Sequence, residues 1–246
     1  MASYRYRALI PARELAAAIN DFSADVLIFA KPQPAEMEFA RRAKERGQKV
    51  IADFCDDHFD TPHYQAMHKL ADTVTCPTAW MARKIGGHVV PDPYEFEEAE
   101  PHCAGDRLLW FGNATNLYSL ARIAEEIEGL PLRVVSNALG CIPWSMDTMR
   151  REFAAADIVV LPATKEYKSP NRAVESIRQG CFVVAEPHPS LEGLPIYIGD
   201  IPKGIEWAKQ NLAQANEMIR VAQEYVRSSL SPRTQASAWR KVLASV

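Results

Sequence analysis

Short apolar runs alternate with helix-forming stretches along this chain, and that alternation limits the folds open to it more than any other feature. In the first part, apolar runs lie at 26–29, 50–52, 73–76 and 89–90, and helical patterns separate them. Buried strands joined by helices are typical of a parallel sheet that is covered on both faces. Residues 1–92 therefore predict an α/β domain.

The alternation is interrupted once, at 91–106. This segment is rich in proline and acidic residues and has almost no aliphatic side chain, which is typical of an exposed connection between domains. Beyond it the pattern resumes, with apolar runs at 108–111, 132–135, 158–161, 182–185 and 196–198. We therefore predict two Rossmann-like α/β domains with an interdomain cleft and a reduced N-terminal domain. The predicted boundaries are 1–92 and 107–230 for the domains, 93–106 for the linker and 231–246 for a C-terminal helix.

The composition excludes several classes of protein. The 246 residues carry a formal net charge of -3 and a pI of about 6.1, so no basic field attracts nucleic acid, and none is expected as a partner. No apolar run approaches the ~18 residues of a membrane-spanning helix, and the N-terminus lacks the apolar segment of a signal peptide. The five cysteines show no CxxC spacing and are expected to be reduced thiols, which favours a cytoplasmic protein.

The stretch from Asp157 to Pro187 carries the clearest chemical signal. A buried strand ends at Leu161, a polar loop follows, and a helix is predicted to start at Pro170 with Ser169 as its N-cap. A helix start at the carboxyl edge of a parallel sheet presents free N–H groups and a partial positive charge, which suit a phosphate. We therefore predict a ligand site at this loop and helix start.

Three side chains around the helix start fit a nucleoside diphosphate. Lys168 and Arg172 bracket the start and are expected to make charge-assisted contacts with the phosphates. Glu175 lies about one turn further along, and its carboxylate suits the two hydroxyls of a ribose. A well-capped helix between two strands, with no ligand at all, is the plainer interpretation of the same residues.

The segment KSPNRAVESIRQGCFVVAEP resembles the donor-binding segment of group 1 (family 4-like) glycosyltransferases, which have the GT-B architecture. Pro170, Asn171 and Arg172 stand where that family has the turn that opens a helix. Glu175 stands at the family's ribose-binding glutamate. A weaker similarity covers the sequence WFGN, which resembles the strand and glycine turn that open the family's donor domain.

The resemblance implies a protein that moves a sugar from a UDP- or GDP-linked donor to an acceptor hydroxyl. It also implies retention of the anomeric configuration, no obligatory metal, no cofactor beyond the donor substrate, and a last helix that crosses back to the N-terminal domain. The donor-binding residues that it implies are Gly112, Asn113, Lys168, Ser169, Asn171, Arg172 and Glu175.

The acceptor is expected to lie against the N-terminal domain. There Asp57 and His58 are the candidate catalytic residues, since either is positioned to act as a general base, and the sequence leaves the choice open. Arg5, Arg7 and Asp56 are assigned to the acceptor or phosphate side. A solvated N-terminus explains the two arginines equally well.

The run from Cys55 to His68 also suggests a metal site, because it collects cysteine, aspartate and histidine side chains. However, His63 and His68 are five residues apart and do not share a helical face, and neither HExxH nor CxxC spacing is present. A polar loop at a strand end is the favoured interpretation, and no metal is expected.

The chain departs from the resembled family in three places. No strand with a glycine-rich loop precedes Ala2, and the sequence GNATNLYSL lacks the Arg-Lys pair of many relatives. Glu166 and Glu175 are nine residues apart where the family has eight. These departures favour an alternative function, a non-catalytic nucleotide- or sugar-binding subunit. An enzyme that glucosylates DNA bases is a narrower variant of the first hypothesis, and the acidic pI counts against it.

Overall fold

A computed structural model describes residues 2–56, 58–164 and 168–246. It divides into two compact units, each with its own parallel sheet. Unit 1 takes the described residues of Met1–Pro93, Lys165–Ser169 and Leu230–Val246, and unit 2 takes those of Tyr94–Thr164 and Pro170–Ser229. The predicted fold class, α/β with two Rossmann-like domains, is confirmed.

Unit 1 contains four strands and the helices around them. In chain order its elements are α1 (Ala2–Tyr4), a π-helical turn (Arg5–Leu9), α2 (Ile10–Leu15), β1 (Val26–Ala30), α3 (Glu36–Glu45), β2 (Lys49–Asp53), α4 (Pro62–Leu70), β3 (Thr73–Cys76), α5 (Ala79–Ile85), β4 (His88–Val89) and the last helix of the chain (Pro232–Leu243). The strands lie side by side in the order β1-β2-β3-β4, and every pair is parallel. In the register, Leu27 is opposite Val50 and Ile51 is opposite Thr73.

The core of unit 1 follows from strands that are apolar on both faces. Val50, Ile51 and Ala52 are successive residues of β2 and all three are fully buried. Helices α3, α4 and α5 cover the sheet with the buried side chains of Met37, Ala40, Ala43, Tyr64, Met67 and Met81. Helix α3 ends just before Gly47, whose φ of +76° is the left-handed conformation expected after a helix.

The two ends of the chain meet in unit 1. The last helix packs against α2, and Gln235 Nε2 donates to the carbonyl oxygen of Tyr6 over 2.8 Å. Trp239 of the same helix is fully buried, together with Ile51 and Val90. The last helix therefore completes the core of unit 1.

Unit 2 contains a sheet of six strands. Its elements are β5 (Leu108–Phe111), a 3₁₀ turn (Ala114–Asn116), α6 (Leu117–Ala121), β6 (Leu132–Ser136), β7 (Ile142–Pro143), α7 (Met146–Ala155), β8 (Ile158–Leu161), α8 (Asn171–Arg178), β9 (Phe182–Ala185), a second 3₁₀ turn (Pro189–Leu191), β10 (Tyr197–Ile198), α9 (Ile201–Gln210) and α10 (Leu212–Ser229), so the last helix of the chain is α11. The strand order is β10-β9-β8-β5-β6-β7, and every pair is parallel.

The helix predicted over 117–128 is shorter in the structure, where α6 ends at Ala121. From Ile123 onward several N–H groups bond to the carbonyl three residues back, as in Ile123 to Leu120 and Glu126 to Ile123. Three glutamates follow, at 125, 126 and 128, and acidic side chains near a helix C-terminus oppose the helix dipole. These charges account for a chain that tightens into turns rather than continuing as an α-helix.

Residues 94–106 contain no helix or strand but are not the exposed connection that their composition predicts. The side chains of Phe96 and Cys103 are buried, and Phe96 packs edge-on against Phe153 of α7 with ring centroids 5.5 Å apart. The few apolar residues of the segment thus anchor it to unit 2. Within the described part of the chain, no helix is both long and apolar enough to cross a membrane.

Candidate functional site

The direction of the chain across the sheet of unit 2 reverses at β5. The chain moves from β5 through β6 to β7 on one side, then returns to place β8, β9 and β10 on the other. In open parallel sheets, ligands bind outside the carboxyl ends of the strands at such a reversal. Gly112 follows β5, and the loop before α8 follows β8. The sheet therefore brings the two predicted halves of the donor site to one edge.

Gly112 follows β5 and lies close to the side chains of Trp110 and Arg172. Its N–H donates to the carbonyl oxygen of Val135 over 3.0 Å, so Gly112 does not offer that group to a ligand. A Cβ at this position would lie 3.0 Å from the indole ring of Trp110 and 3.5 Å from Arg172 Nη1. The next residue, Asn113, is exposed, and its Oδ1 accepts from the N–H of Thr115 over 3.0 Å. The missing side chain of Gly112 thus lets the Trp110 ring and Arg172 approach the backbone of this turn.

Arg172 lies beside this turn. Its Nη1 donates to the carbonyl oxygen of Phe111 over 3.3 Å, and its guanidinium carbon lies 5.9 Å from the centre of the Trp110 ring. In the described part of the chain it makes no ion pair with a carboxylate. Burial lowers the pKa of Arg172 to about 10 from its usual 12.5, with a small opposing effect of Tyr118. The guanidinium is therefore a half-buried cation for which the described residues supply no carboxylate partner.

The start of α8 lies next to this cation in sequence. The helix begins at Asn171, and its N-cap residue is Pro170, which makes no side-chain hydrogen bond to the helix. The prediction of Ser169 as N-cap is wrong by one residue: Pro170, with φ −77° and ψ 11°, precedes the first helical residue. The first N–H groups of the helix have no intrahelical partner. They add to the positive potential around Arg172.

Glu175 is buried, with 3% of its surface exposed. Its Oε1 accepts from the N–H of Glu95 over 2.7 Å, and its Oε2 accepts from the N–H of Phe96 over 3.2 Å. Both carboxylate oxygens, which the resemblance assigns to a ribose, thus hold the backbone of the segment that follows Pro93. The ribose contact stays a prediction.

Lys168 and Ser169 group with unit 1 rather than with α8. Lys168 forms an isolated antiparallel bridge with Asp56, which follows β2. Asp56 also makes an ion pair with Lys31, directly after β1. Burial opposes the charge of Lys31, but the hydrogen bond and the charge of Asp56 outweigh it and raise the pKa of this lysine. Asp56 is thus flanked by basic residues, and its contact with an acceptor stays a prediction.

Arg7 lies in the interior of unit 1, with 2% of its surface exposed. Its Nε donates to Asp53 over 2.8 Å, and its Nη1 donates to Asp92 over 2.9 Å and to the carbonyl oxygen of Val90 over 2.5 Å. The ring of Trp239 lies 5.9 Å from its guanidinium carbon. The expected contact of Arg7 with a phosphate or acceptor is therefore corrected: internal acceptors take its donors, and Arg7 joins the N-terminal helix to the sheet of unit 1.

Arg5 and His58, two other predicted residues of unit 1, each have an aromatic neighbour. Arg5 is half-buried, and its guanidinium carbon lies 5.8 Å from the ring of Tyr6. The His58 ring is half-buried and meets the ring of Tyr64 edge-on at 5.5 Å. Two further residues lie outside the described residues: Asp57, a candidate general base, and Glu166, whose spacing from Glu175 differs from that of the resembled family.

No three metal-ligating side chains come together among the residues that the structure describes. His68 is engaged elsewhere, since its Nε2 lies 2.7 Å from the carbonyl oxygen of Ile85. The ring of His63 meets Tyr64 edge-on at 5.1 Å. His63 and His68 therefore contact different protein groups, and these contacts give no indication of a metal ion held by both.

Sequence analysis missed Lys31. Its φ of +53° is rare for a residue with a side chain, and its N–H donates to the carbonyl oxygen of Asp53 over 2.8 Å. Strained backbone of this kind often lies at functional sites. The available signal was a charged residue directly after an apolar strand, at the edge where ligands of parallel sheets bind.

The chain matches no protein-family model and no curated protein sequence. Several solved structures, however, share its fold over nearly all of its length. HepE from Anabaena in complex with UDP aligns with a TM-score of 0.70 at 14% identity, over 99% of this chain and 84% of that one. A glycosyltransferase from Rickettsia africae aligns with a TM-score of 0.59 at 10% identity, over 98% and 80%. T4 phage β-glucosyltransferase aligns with a TM-score of 0.57 at 10% identity, over 95% and 91%.

These similarities identify the architecture. The neighbours are glycosyltransferases of the GT-B type, so the chain has the GT-B fold that the sequence predicted. HepE has also been solved with UDP-glucose, and the phage enzyme with its UDP-glucose substrate. At identities of 10–14%, the likeness establishes the fold alone.

Proposed function

We propose that this protein is a glycosyltransferase that moves a sugar from a nucleoside diphosphate donor to an acceptor hydroxyl, and that unit 2 binds the donor. One observation carries the proposal: the half-buried guanidinium of Arg172 lies beside Gly112 and has no carboxylate partner among the described residues. HepE, which has a similar fold, has been solved in complex with UDP and with UDP-glucose.

A diphosphate would supply the negative charge that the described residues do not place beside Arg172. A buried cation without a counter-charge is unfavourable, and an anion that binds beside it removes the cost of desolvation. A phosphate bound against Gly112 would accept from Arg172 and from the first N–H groups of α8, because all three lie at the carboxyl edge of β5 and β8. A guanidinium suits this role because its planar fork of donors matches phosphate oxygens.

The same groups would assist bond cleavage. As the bond between the sugar and the diphosphate breaks, negative charge grows on the leaving phosphate. Arg172 and the start of α8 are held in place by the sheet, so they would stabilise this charge without reorganising. Their positions beside the donor would also orient it for attack by the acceptor.

The finer assignments follow from the resemblance to group 1 (family 4-like) enzymes. We propose a hexosyl donor linked to UDP, or GDP as the alternative, with retention of configuration and no metal. Asn113, Lys168, Ser169 and Asn171 would complete the donor contacts. On the acceptor side, Asp57 or His58 would act as general base near Asp56 and Arg5.

Calorimetric titration with UDP, GDP, ADP and CMP tests the donor site. We expect one diphosphate to bind selectively, and Arg172→Gln to weaken that binding by tenfold or more, since charged hydrogen bonds contribute about 1.5–3 kcal/mol. Arg150→Gln is the matched control, because Arg150 is an exposed arginine of unit 2 that pairs with Asp147. Equal binding by the two variants would remove the support for the site.

Release of UDP from UDP-glucose tests the chemistry. A transferase with an intact donor site transfers some sugar to water, so we expect slow hydrolysis that Arg172→Gln abolishes. Selective binding without hydrolysis would instead support the non-catalytic subunit.

A further inference from the structure

Residues 94–100, which we call the strap, run along α8 and α10 within unit 2. The strap has no secondary structure of its own, yet its backbone makes several hydrogen bonds. The N–H of Ala99 donates to the carbonyl oxygen of Arg178 over 2.9 Å, and Gln179 Nε2 donates to the carbonyl oxygen of Glu97 over 2.6 Å. Gln223 Nε2 donates to the carbonyl oxygen of Ala99 over 2.8 Å. Hydrogen bonds thus hold the strap against unit 2 at several positions along its length.

Glu98 is the charged anchor of the strap. It makes an ion pair with Arg178, and its Oε1 lies 2.5 Å from Nη2 of Arg227 on α10. The guanidinium of Arg178 also stacks over Tyr94, with 4.1 Å between its central carbon and the ring centroid. One carboxylate therefore joins the strap to two helices.

The strap also covers Glu175. The N–H groups of Glu95 and Phe96 each donate to one oxygen of that carboxylate, which is almost wholly buried beneath them. A ribose needs the same two oxygens to bind both of its hydroxyls. The strap and a ribose therefore compete for Glu175.

We propose that the strap is a cover over the sugar-nucleotide site, so that a donor binds fully only when its ribose displaces the backbone of Glu95 and Phe96 from Glu175. This proposal rests on the proposed function, because it takes the ligand to be a nucleoside diphosphate. The anchors of the strap then set the donor affinity without touching the donor. When the competent form is a minor fraction of the molecules, apparent affinity falls in proportion to that fraction.

Weakening an anchor should therefore tighten nucleotide binding. Arg227→Gln removes one partner of Glu98 on an exposed side chain, and we expect it to tighten UDP binding about two- to fivefold, the scale of one exposed ion pair. The matched control is Arg220→Gln, which removes the same charge from α10 and breaks an exposed pair with Glu217 rather than one with Glu98. Glu98→Gln releases both anchors and should have the larger effect.

A nucleotide without one hydroxyl shows whether the competition is for the ribose. In the unmodified protein, 2′-deoxyuridine diphosphate should bind more weakly than UDP, and Glu175→Gln should reduce that difference. Arg227→Gln should tighten UDP binding more than it tightens binding of the deoxy analogue, because only the full diol displaces both N–H groups. A purely structural role of the strap would not change this ratio.

Three results would overturn the proposal in distinguishable ways. If UDP binds but Arg227→Gln and Glu98→Gln bind it no more tightly than Arg220→Gln does, the strap is not a cover. If the penalty for the missing hydroxyl is the same in Glu175→Gln as in the unmodified protein, Glu175 does not bind the ribose. If neither the protein nor any variant binds UDP, GDP or ADP, the proposed function itself fails and the strap proposal with it.

Discussion

Arg172 Nη1 donates to the carbonyl oxygen of Phe111 over 3.3 Å, and this carbonyl is the acceptor that the structure gives to a desolvated guanidinium. Other arginines of unit 2 meet carboxylates: Arg107 pairs with Asp157, and Arg133 pairs with Glu152. A backbone carbonyl offers a partial charge where a carboxylate offers a full one. This contrast is the reason that the proposed function assigns an anionic ligand to Arg172.

Glu175→Ala should weaken binding of the nucleoside diphosphate by about 1–3 kcal/mol, the range for losing a charged hydrogen-bond partner. The measurement is a calorimetric titration, with circular dichroism to establish that the variant is folded. Glu125→Ala is a suitable control, because it removes one exposed carboxylate from the same unit. Unchanged nucleotide affinity in Glu175→Ala would contradict the ribose assignment.

Gly180→Ala should destabilise the protein by more than its backbone conformation alone explains. Gly180 has a φ of +73°, and a Cβ there would lie 2.2 Å from the carbonyl oxygen of Glu100. Gly129 has a φ of +82° with no atom within 4 Å of such a Cβ, so Gly129→Ala measures the backbone strain, about 1 kcal/mol. Urea unfolding should give a loss for Gly180→Ala at least about 1 kcal/mol larger, and equal losses would argue against the close approach.

The ion pair of Asp157 with Arg107 should make the free energy of unfolding depend on pH. Burial opposes ionisation of Asp157, but hydrogen bonds from Arg107 and from the N–H of Ala104 hold its pKa below the usual 3.8. A depressed pKa contributes stability above the unfolded value, and that contribution is lost as the pH falls through the folded value.

Asp157→Asn should therefore cost about 1.5–3 kcal/mol near neutral pH. The difference from the unmodified protein should start to shrink below about pH 4, where the carboxylate of the unfolded chain takes up a proton, and should be lost as the pH falls through the lower folded pKa. Urea unfolding at a series of pH values measures both effects. A difference that stays constant down to pH 2 would show that the carboxylate charge is not the source of the stability.

Arg7→Lys should destabilise unit 1 by about 3–5 kcal/mol, because a lysine cannot replace the fork that joins Asp53, Asp92 and the carbonyl oxygen of Val90. Arg5→Lys, two residues earlier and half-buried, should change the free energy of unfolding by less than about 1 kcal/mol. Similar losses in the two variants would mean that the buried network contributes little.

The sequence predicted the features that depend on local pattern. Runs such as Ile158–Leu161 and Phe182–Ala185 are apolar on both faces. Because helical patterns lie between such runs, the sequence predicted a parallel sheet covered by helices. The nearness of Gly112 and Arg172 was also predictable, because parallel strands place their carboxyl ends at one edge.

Contacts between residues far apart in the chain could not be predicted. Arg7 meets Asp53 and Val90 across 46 and 83 positions, and no local pattern distinguishes its buried guanidinium from a solvated one. Glu175 likewise meets the N–H of Glu95 across 80 positions. Every residue except proline has a backbone N–H, so the sequence does not indicate which of these groups bonds to the carboxylate of Glu175.

Binding of uridine, UMP and UDP to the unmodified protein and to Arg172→Gln tests the central claim most directly, because the three ligands differ only in their phosphates. If a diphosphate acts as the counter-charge of Arg172, UDP binds more tightly than uridine to the unmodified protein, and Arg172→Gln removes most of that advantage while it leaves uridine binding unchanged. An advantage of UDP over uridine that is equal in the two proteins would contradict the claim.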